Sequence, residues 1–228
     1  MNLDFSDDQK FLQDEARKFF DKEGGLTNTR KVMDESLSHD EALWGKVLEL
    51  GWTGIRIPEE YDGLGLGHLD LCVIAEEIGR ALAPIPFSSS VYLFTETIIK
   101  YGSEEIKKNV LPKLVTGEIV GTYAVAEDMS AITESTLSCA VEGDSVTGAK
   151  IAVPDAELAT HAVVLVKGSK GPELRLVDLS SDGVEVSLQK NLDKSRSFYK
   201  VAFNNAQSSL LGEQGSGWES HVHIMDQA

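Results

Sequence analysis

Cysteine, paired histidine ligands and long apolar runs are all scarce in this sequence, and each scarcity excludes a class of protein. Two cysteines among 228 residues, Cys72 and Cys139, are too few for a disulfide framework, and no C-x-x-C zinc motif occurs. Both are predicted to be reduced core residues. His221 and His223 lie two positions apart on a predicted helix and face different ways, so no metal site is predicted. No apolar run reaches the roughly 18 residues of a membrane-spanning helix.

Basic residues are also few: 21 lysines and arginines stand against 37 aspartates and glutamates, and the formal net charge is −16. Nucleic-acid binding is therefore not expected, because it needs a cationic face that displaces counterions from phosphates. The N-terminal segment, residues 1–10, is acidic where a signal peptide would be basic and then apolar. The sequence thus predicts a cytoplasmic protein without a membrane span.

The first 120 residues show helical periodicity throughout. Ser6 and Gln9 form a predicted capping box, and an i, i+4 apolar stripe follows until Gly24 and Gly25 end the first helix. Four further helices are predicted. One runs from a second capping box at residues 38–41 to Gly51, which is expected to end it in a left-handed conformation. One covers 69–82 with Leu69, Cys72, Val73 and Ala75 facing inward, one runs from Ser88 to Gly102, and one is capped by Ser103.

From Gly121 the pattern changes to short strands separated by turns. Strands are predicted at residues 122–126, 137–141, 145–148, 162–166, 174–179, 184–188 and 199–203. The wholly apolar segment 162–166 indicates a central strand, and the spacing of about ten residues favours a small antiparallel barrel or sandwich. A flexible joint over 212–217 and a helix from Trp218 follow.

The predicted fold class is therefore α+β. An N-terminal all-α helical domain is expected over residues 1–120, and a middle antiparallel β-barrel or sandwich domain over 121–212. Residues 213–228 are expected to begin a C-terminal helical domain.

Four segments in a fixed order resemble signatures of the acyl-CoA dehydrogenase family. They are GWTGIRIPEEYDGLGLG at 51–67, AEEIGRALAPIP at 75–86, LPKLVTGE at 111–118 and LLGEQGSGW at 210–218. Each segment is short, but their order along the chain is specific. The stretch VPDAELATHAVVLV at 153–166 is more similar to bacterial members that act on bulky, steroid-like or aromatic acyl-CoAs.

The resemblance implies a three-domain fold, with FAD between the middle domain and a C-terminal helical bundle. It implies α,β-dehydrogenation of an acyl-CoA thioester, in which a carboxylate removes the α proton and the flavin accepts the β hydride. The implied electron acceptor is electron-transfer flavoprotein, and the implied assembly is a homo- or hetero-oligomer, a dimer or tetramer. The catalytic glutamate of most members lies in the bundle, so no catalytic residue is expected in these 228 residues.

Seven residues match family positions that contact the cofactor. They are Tyr123, Val125 and Ala126 in the strand under the flavin ring, Ala131 and Ile132 where the family has Gly-Ser, and Val153 and Pro154 near flavin N5. The hydroxyl groups common in the family are missing at Ala126, Ile132 and Pro154. Backbone groups would therefore make most of the contacts.

Four residues match positions near the substrate. Leu93 and Phe94 fall on the path of the acyl chain, Ser130 lies in the loop after the flavin strand, and Arg196 belongs to a loop whose positive charge would meet CoA phosphates. Ordinary helix packing explains Leu93 and Phe94 equally well. Two alternative functions stay open: a non-catalytic partner subunit of a heteromeric dehydrogenase, which the missing hydroxyls suit, and a stand-alone acyl-CoA-binding module.

Overall fold

The computed structural model describes residues 4–227, in which a helical part up to Thr116 packs against a β-barrel that begins at Gly121. The α-helices are Asp7–Glu23 (α1), Leu26–Asp34 (α2), Glu41–Glu49 (α3), His68–Ala81 (α4), Glu96–Tyr101 (α5), Glu104–Thr116 (α6) and Gly217–Gln227 (α7). A π-helical segment, Ser88–Thr95, leads directly into α5. Within the described residues, no helix is both long and apolar enough to cross a membrane.

The caps of the first helices are partly as predicted. The Ser6 hydroxyl accepts from the Gln9 N–H at 3.2 Å, and the Gln9 side chain accepts from the Ser6 N–H at 3.1 Å, which confirms the first capping box. The second predicted box was wrong. Asp40 is the residue that directly precedes α3, and its carboxylate accepts from the Leu43 N–H at 3.0 Å. Ser38 lies too far upstream to reach the free amides of the helix.

Two further helical predictions were wrong in detail. Helix α2 was missed, because it starts directly after Gly25 without a side-chain cap. On α4 the predicted inward residues Leu69 and Cys72 are exposed, whereas Val73 is buried as predicted. The main buried stripe of α4 consists of Leu71, Ile74, Ile78 and Ala81, which follow the i, i+3, i+7, i+10 spacing of a single helix face.

Seven strands form the β part. They are Gly121–Ala124 (β1), Ala140–Glu142 (β2), Ser145–Pro154 (β3), His161–Gly168 (β4), Gly171–Asp178 (β5), Val184–Gln189 (β6) and Phe198–Leu211 (β7). Strand β4 is buried over most of its length and pairs with β1, β2 and β5, so the prediction of a central strand is confirmed.

The strands close into a small barrel in the order β4, β2, β3, β7, β5 and back to β4. Strand β1 joins β4 beside β2, and β6 joins β7 beside β5. The α+β class and the small barrel are thus confirmed. The barrel is not wholly antiparallel, however, because β1 and β2 both run parallel to β4. Parallel pairing needs a crossover connection, and the long segment after β1 provides one.

Strand β1 separates two hydrophobic cores by the alternation of its side chains. Tyr123 faces the core between the barrel and the helices, whereas Ala124 faces the barrel interior. At its start, the Gly121 N–H donates to the Ser90 hydroxyl of the π-helical segment at 3.1 Å. A Cβ atom at Gly121 would lie 2.0 Å from the Phe94 ring, so glycine permits this close contact.

In the helical part, Glu77 of α4 is a completely buried carboxylate. Arg17 of α1 approaches one of its oxygens to 2.6 Å, and Arg80 approaches the other to 2.6 Å. The hydrogen bond from Arg17, reinforced by Arg80, holds the pKa of Glu77 below its usual value of 4.5 in spite of burial.

Glu77→Gln is expected to remove part of the acid sensitivity of the fold. A carboxyl whose pKa is lowered in the folded state stabilises that state above its unfolded pKa, and the contribution is lost as the pH falls through the folded pKa. The stability advantage of the wild type should therefore be largest near neutral pH and shrink below about pH 4.5. Urea unfolding at a series of pH values measures this. Exposed Glu76→Gln serves as the control, and parallel pH profiles for wild type and Glu77→Gln would contradict the assignment.

Candidate functional site

The segment that follows β1 is held by a buried ion pair. Lys150 of β3 is completely buried, and its ammonium group donates to Glu127 at 2.7 Å and to the Val125 carbonyl at 3.0 Å. The same Glu127 carboxylate accepts from the backbone N–H groups of Ser138 and Cys139 at 2.7 and 3.1 Å. The pair therefore holds both ends of the segment 127–139 against β3.

The protonation of the pair follows from its surroundings. Burial lowers the pKa of Lys150, and the hydrogen bond to Glu127 opposes this effect. Burial alone would raise the pKa of Glu127, but the hydrogen bonds from Lys150 and Ser138 outweigh it and leave the pKa lowered. The ionised carboxylate is thus the form that these donors stabilise.

Between its two held ends the segment is exposed and offers free backbone donors. Asp128 accepts from the N–H of Ser130 at 2.7 Å, which shapes a tight turn. Ala131 and Ile132 are exposed. Across residues 4–227, the backbone N–H groups of Ala126, Ala131 and Ile132 find no hydrogen-bond acceptor. A shallow depression lies beside Ala131 and Ile132.

A bulge in β3 brings the second group of predicted cofactor residues beside β1. Ala152 has a positive φ of 51°, and the pairing with β7 shifts register between Lys150 and Val153. The Ile151 N–H donates to the Ala126 carbonyl at 2.8 Å, and the Thr122 hydroxyl donates to the Pro154 carbonyl at 2.6 Å. The side chain of Val153 is completely buried in the barrel, so only its backbone is available to a ligand.

Tyr123, another predicted cofactor residue, is buried against α7. Its hydroxyl lies 3.2 Å from His221 Nδ1, and the two rings stack with centroids 5.8 Å apart. Burial raises the pKa of Tyr123 and lowers that of His221, so both side chains are neutral at physiological pH. His223 points elsewhere and contacts Lys100. The two histidines face different ways, as their spacing predicted.

The predicted substrate residue Arg196 has an acidic partner that the sequence did not reveal. Arg196 donates to the Asp155 carboxylate at 3.1 Å, and Ser89 of the π-helical segment donates to the same oxygen at 2.6 Å. Asp155 is buried and has a positive φ of 54°. This cluster joins the barrel to the helical part and neutralises the charge of Arg196. A cavity of about 230 Å³ lies beside it.

The other predicted substrate residues are not gathered in one place. Phe94 is completely buried against Gly121, and Leu93 is partly buried beside it. Ser130 lies in the exposed turn after β1. The structure thus brings the β1 and β3 candidates together and leaves Arg196 at a separate cavity. The roles of all these residues in binding stay predictions.

The role of Lys150 in holding this region together was not predicted from the sequence. One signal was present. Val146, Gly148 and Lys150 are every second residue of β3 and therefore share its inward face. A lysine at an inward position needs a buried acidic partner. The partner, 23 residues away, could not be inferred from spacing.

The chain thus consists of a helical part, a closed barrel with its first strand parallel to the central one, and a helix that follows. Residues 6–118 match the family model described as "Acyl-CoA dehydrogenase, N-terminal domain". The chain belongs to the acyl-CoA dehydrogenase family.

Relatives extend the similarity beyond the helical part. The mitochondrial isovaleryl-CoA dehydrogenase of Solanum tuberosum is 30% identical over 235 residues, which cover 95% of this chain and 56% of the relative. An acyl-CoA dehydrogenase complexed with FAD from Bacillus anthracis is 26% identical, with a TM-score of 0.86, over 98% of this chain and 41% of that one. The Tcur3481-Tcur3483 steroid ACAD variant is 27% identical, with a TM-score of 0.83, over 96% and 60%. The chain spans little more than half the length of the plant isovaleryl-CoA dehydrogenases that it matches.

Proposed function

We propose that the protein is an FAD-dependent acyl-CoA dehydrogenase, to which this chain contributes the N-terminal and middle domains. The observation that carries the proposal is the exposed segment after β1. Its ends are fixed by the Lys150–Glu127 pair, and the backbone N–H groups of Ala126, directly before it, and of Ala131 and Ile132 within it are free. Free backbone donors in a rigid frame fit the carbonyl oxygens and ring nitrogens of a flavin.

The donor set indicates how the chain would hold FAD. Backbone groups of Tyr123, Val125 and Ala126 would lie along the ring, and the N–H groups of Ala131 and Ile132 would donate to it. Val153 and Pro154 would contribute backbone atoms only, since Val153 is buried and proline has no N–H. When bound, FAD supplies the hydride acceptor. The residues of this chain bind and orient the ring and exclude water from one side of it.

The remaining features of the proposal come from the family. The substrate would be an acyl-CoA, with Leu93, Phe94, Ser130 and Arg196 near it, and electron-transfer flavoprotein would accept the electrons. The neighbour named as a steroid ACAD supports a bulky acyl group. A cytoplasmic dimer or tetramer is the proposed form, and the domain limits at residues 120 and 212 belong to the same proposal. The relatives are named as dehydrogenases, so the alternative of a non-catalytic partner subunit is not favoured.

Titration with FAD tests this proposal, and one substitution tests whether the segment after β1 contacts the cofactor. Ile132→Ser restores a hydroxyl where the family carries serine, and we expect it to tighten FAD binding about fivefold, the typical effect of one added hydrogen bond. Flavin fluorescence quenching measures the dissociation constant. Met129→Ser is the matched control, because Met129 is an exposed apolar residue of the same segment with no proposed contact. Absence of FAD binding in the wild type would contradict the function.

A further inference from the structure

The cavity beside Asp155 has one apolar wall, which comes from the helical part. Ile78, Gly79 and Leu82 of the α4 end and Ile85 after it form this wall. In another protein, an apolar cavity of roughly 150 Å³ holds benzene. The volume here is about 230 Å³. The space therefore suits an apolar group of about two fused rings.

The rest of the lining includes polar residues and carries an unused donor. Tyr92 stacks edge-to-face on Phe87, with centroids 5.6 Å apart, which fixes its ring. Its hydroxyl makes no hydrogen bond to any residue between 4 and 227. Burial raises the pKa of Tyr92 to about 12, so the hydroxyl keeps its proton and can donate. Next to it, Arg196 is already neutralised by Asp155. The polar wall thus favours a neutral acceptor over an anion.

Two segments of the polar wall lie next to the strand β1. Two residues before Tyr92, the Ser90 hydroxyl accepts from the first N–H of β1, that of Gly121. In the second segment, Asp155 directly follows Pro154, whose carbonyl accepts from Thr122 of β1. The cavity is therefore built on the same two segments that flank the proposed flavin strand.

We propose that this cavity binds the distal end of the substrate's acyl group, an apolar group of about two fused rings that ends in a ketone or hydroxyl. The Tyr92 hydroxyl donates to that oxygen, and the residues from Ile78 to Ile85 enclose the rings. This assignment rests on the proposed acyl-CoA dehydrogenase function and adds to it a class of acyl group and a specificity-determining residue, Tyr92.

Binding of the two-ring ketone 2-tetralone, compared with the hydrocarbon tetralin, tests the assignment by calorimetry. We expect 2-tetralone to bind about fivefold more tightly, because one hydrogen bond is added. Tyr92→Phe should abolish this preference and leave the affinity for tetralin unchanged. Equal affinities for the two compounds in the wild type, or an unchanged preference in Tyr92→Phe, would overturn the role of Tyr92.

A second variant adds a side chain at Gly79, a residue that lines the cavity. A Cβ atom at Gly79 meets no other atom within 4 Å, so Gly79→Leu places its side chain in open space beside the wall. We expect it to weaken 2-tetralone binding at least tenfold. Gly45→Leu is the matched control, because Gly45 is also helical, equally open, and outside the cavity. Undiminished binding in Gly79→Leu would overturn the site.

Competition separates this assignment from the proposed function. In the FAD-loaded protein, 2-naphthylacetyl-CoA should displace 2-tetralone. Binding of both compounds without competition would overturn the assignment of the cavity to the acyl group and leave the dehydrogenase proposal standing. Failure to bind FAD and any acyl-CoA would overturn both.

Discussion

Lys150→Met is expected to lower the free energy of unfolding by about 3–5 kcal/mol, the range for removing one partner of a buried ion pair. The methionine fills the space of the lysine stem but leaves the Glu127 carboxylate, 12% exposed, without its cation. The segment 127–139 then loses its attachment to β3. Urea unfolding measures the change, and FAD affinity should fall in the same variant because the free N–H groups lose their frame.

Two further variants test whether the loss of stability comes from the buried ion pair. Lys113→Met removes an ion pair with Glu118 whose side chains are 48% and 64% exposed, and it should change stability by less than about 1 kcal/mol. The double variant Lys150→Met with Glu127→Gln should be less destabilised than the sum of the single changes, because no unpaired charge remains. Equal stability of Lys150→Met and Lys113→Met would show that the buried pair is dispensable.

Gly121→Ala is expected to destabilise the protein by about 3 kcal/mol, at the upper end of the usual range for overpacking a core. The added Cβ atom would lie 2.0 Å from the Phe94 ring, which is completely buried and cannot move toward solvent. The Gly121 backbone is also held against a shift away from the ring, because its N–H donates to Ser90 and the residue pairs with His161 of β4. Thermal or urea unfolding measures the loss.

A double-mutant cycle tests whether a steric clash with Phe94 causes the loss of stability in Gly121→Ala. Phe94→Ala alone should cost about 3–5 kcal/mol, as for other buried phenylalanines. Combined with Gly121→Ala, the total should be clearly less than the sum, because the new methyl group occupies part of the space that the ring leaves. Gly45→Ala, at an open helical position, should be neutral or slightly stabilising. Strictly additive effects of Gly121→Ala and Phe94→Ala would exclude a steric origin.

Local signals in the sequence predicted much of the fold. The Ser6 cap and the left-handed Gly51 after α3 depend only on neighbouring residues, and both are confirmed. The limits of the longest strand were not predictable in this way. Strand β7 runs from Phe198 to Leu211, well beyond the predicted 199–203, because its second half pairs with β5 and its first half with β6. Such a length is set by partners remote in sequence.

In the candidate site, too, local segments were predictable and contacts between distant residues were not. Resemblance to the family predicts cofactor contacts in and after β1 and at Val153 and Pro154, because short signatures mark these segments. The contacts that fix these segments join distant residues: Lys150 and Glu127 are 23 apart, and Ser89 and Asp155 are 66 apart. Arg196 is predicted to meet CoA phosphates, and its partner within the chain is Asp155, 41 residues away. Only the folded chain brings these charges together.

The order in which the barrel closes has a consequence for how the protein is made. The ring of strands is complete only when β7 links β3 to β5. On the ribosome the helical part therefore emerges and can fold while β3 and β5 still present unpaired edges. Unpaired edges are templates for association with other chains. The vulnerable interval during synthesis thus extends until Leu211 has left the exit tunnel, and chaperones that bind nascent strands are most needed in that interval.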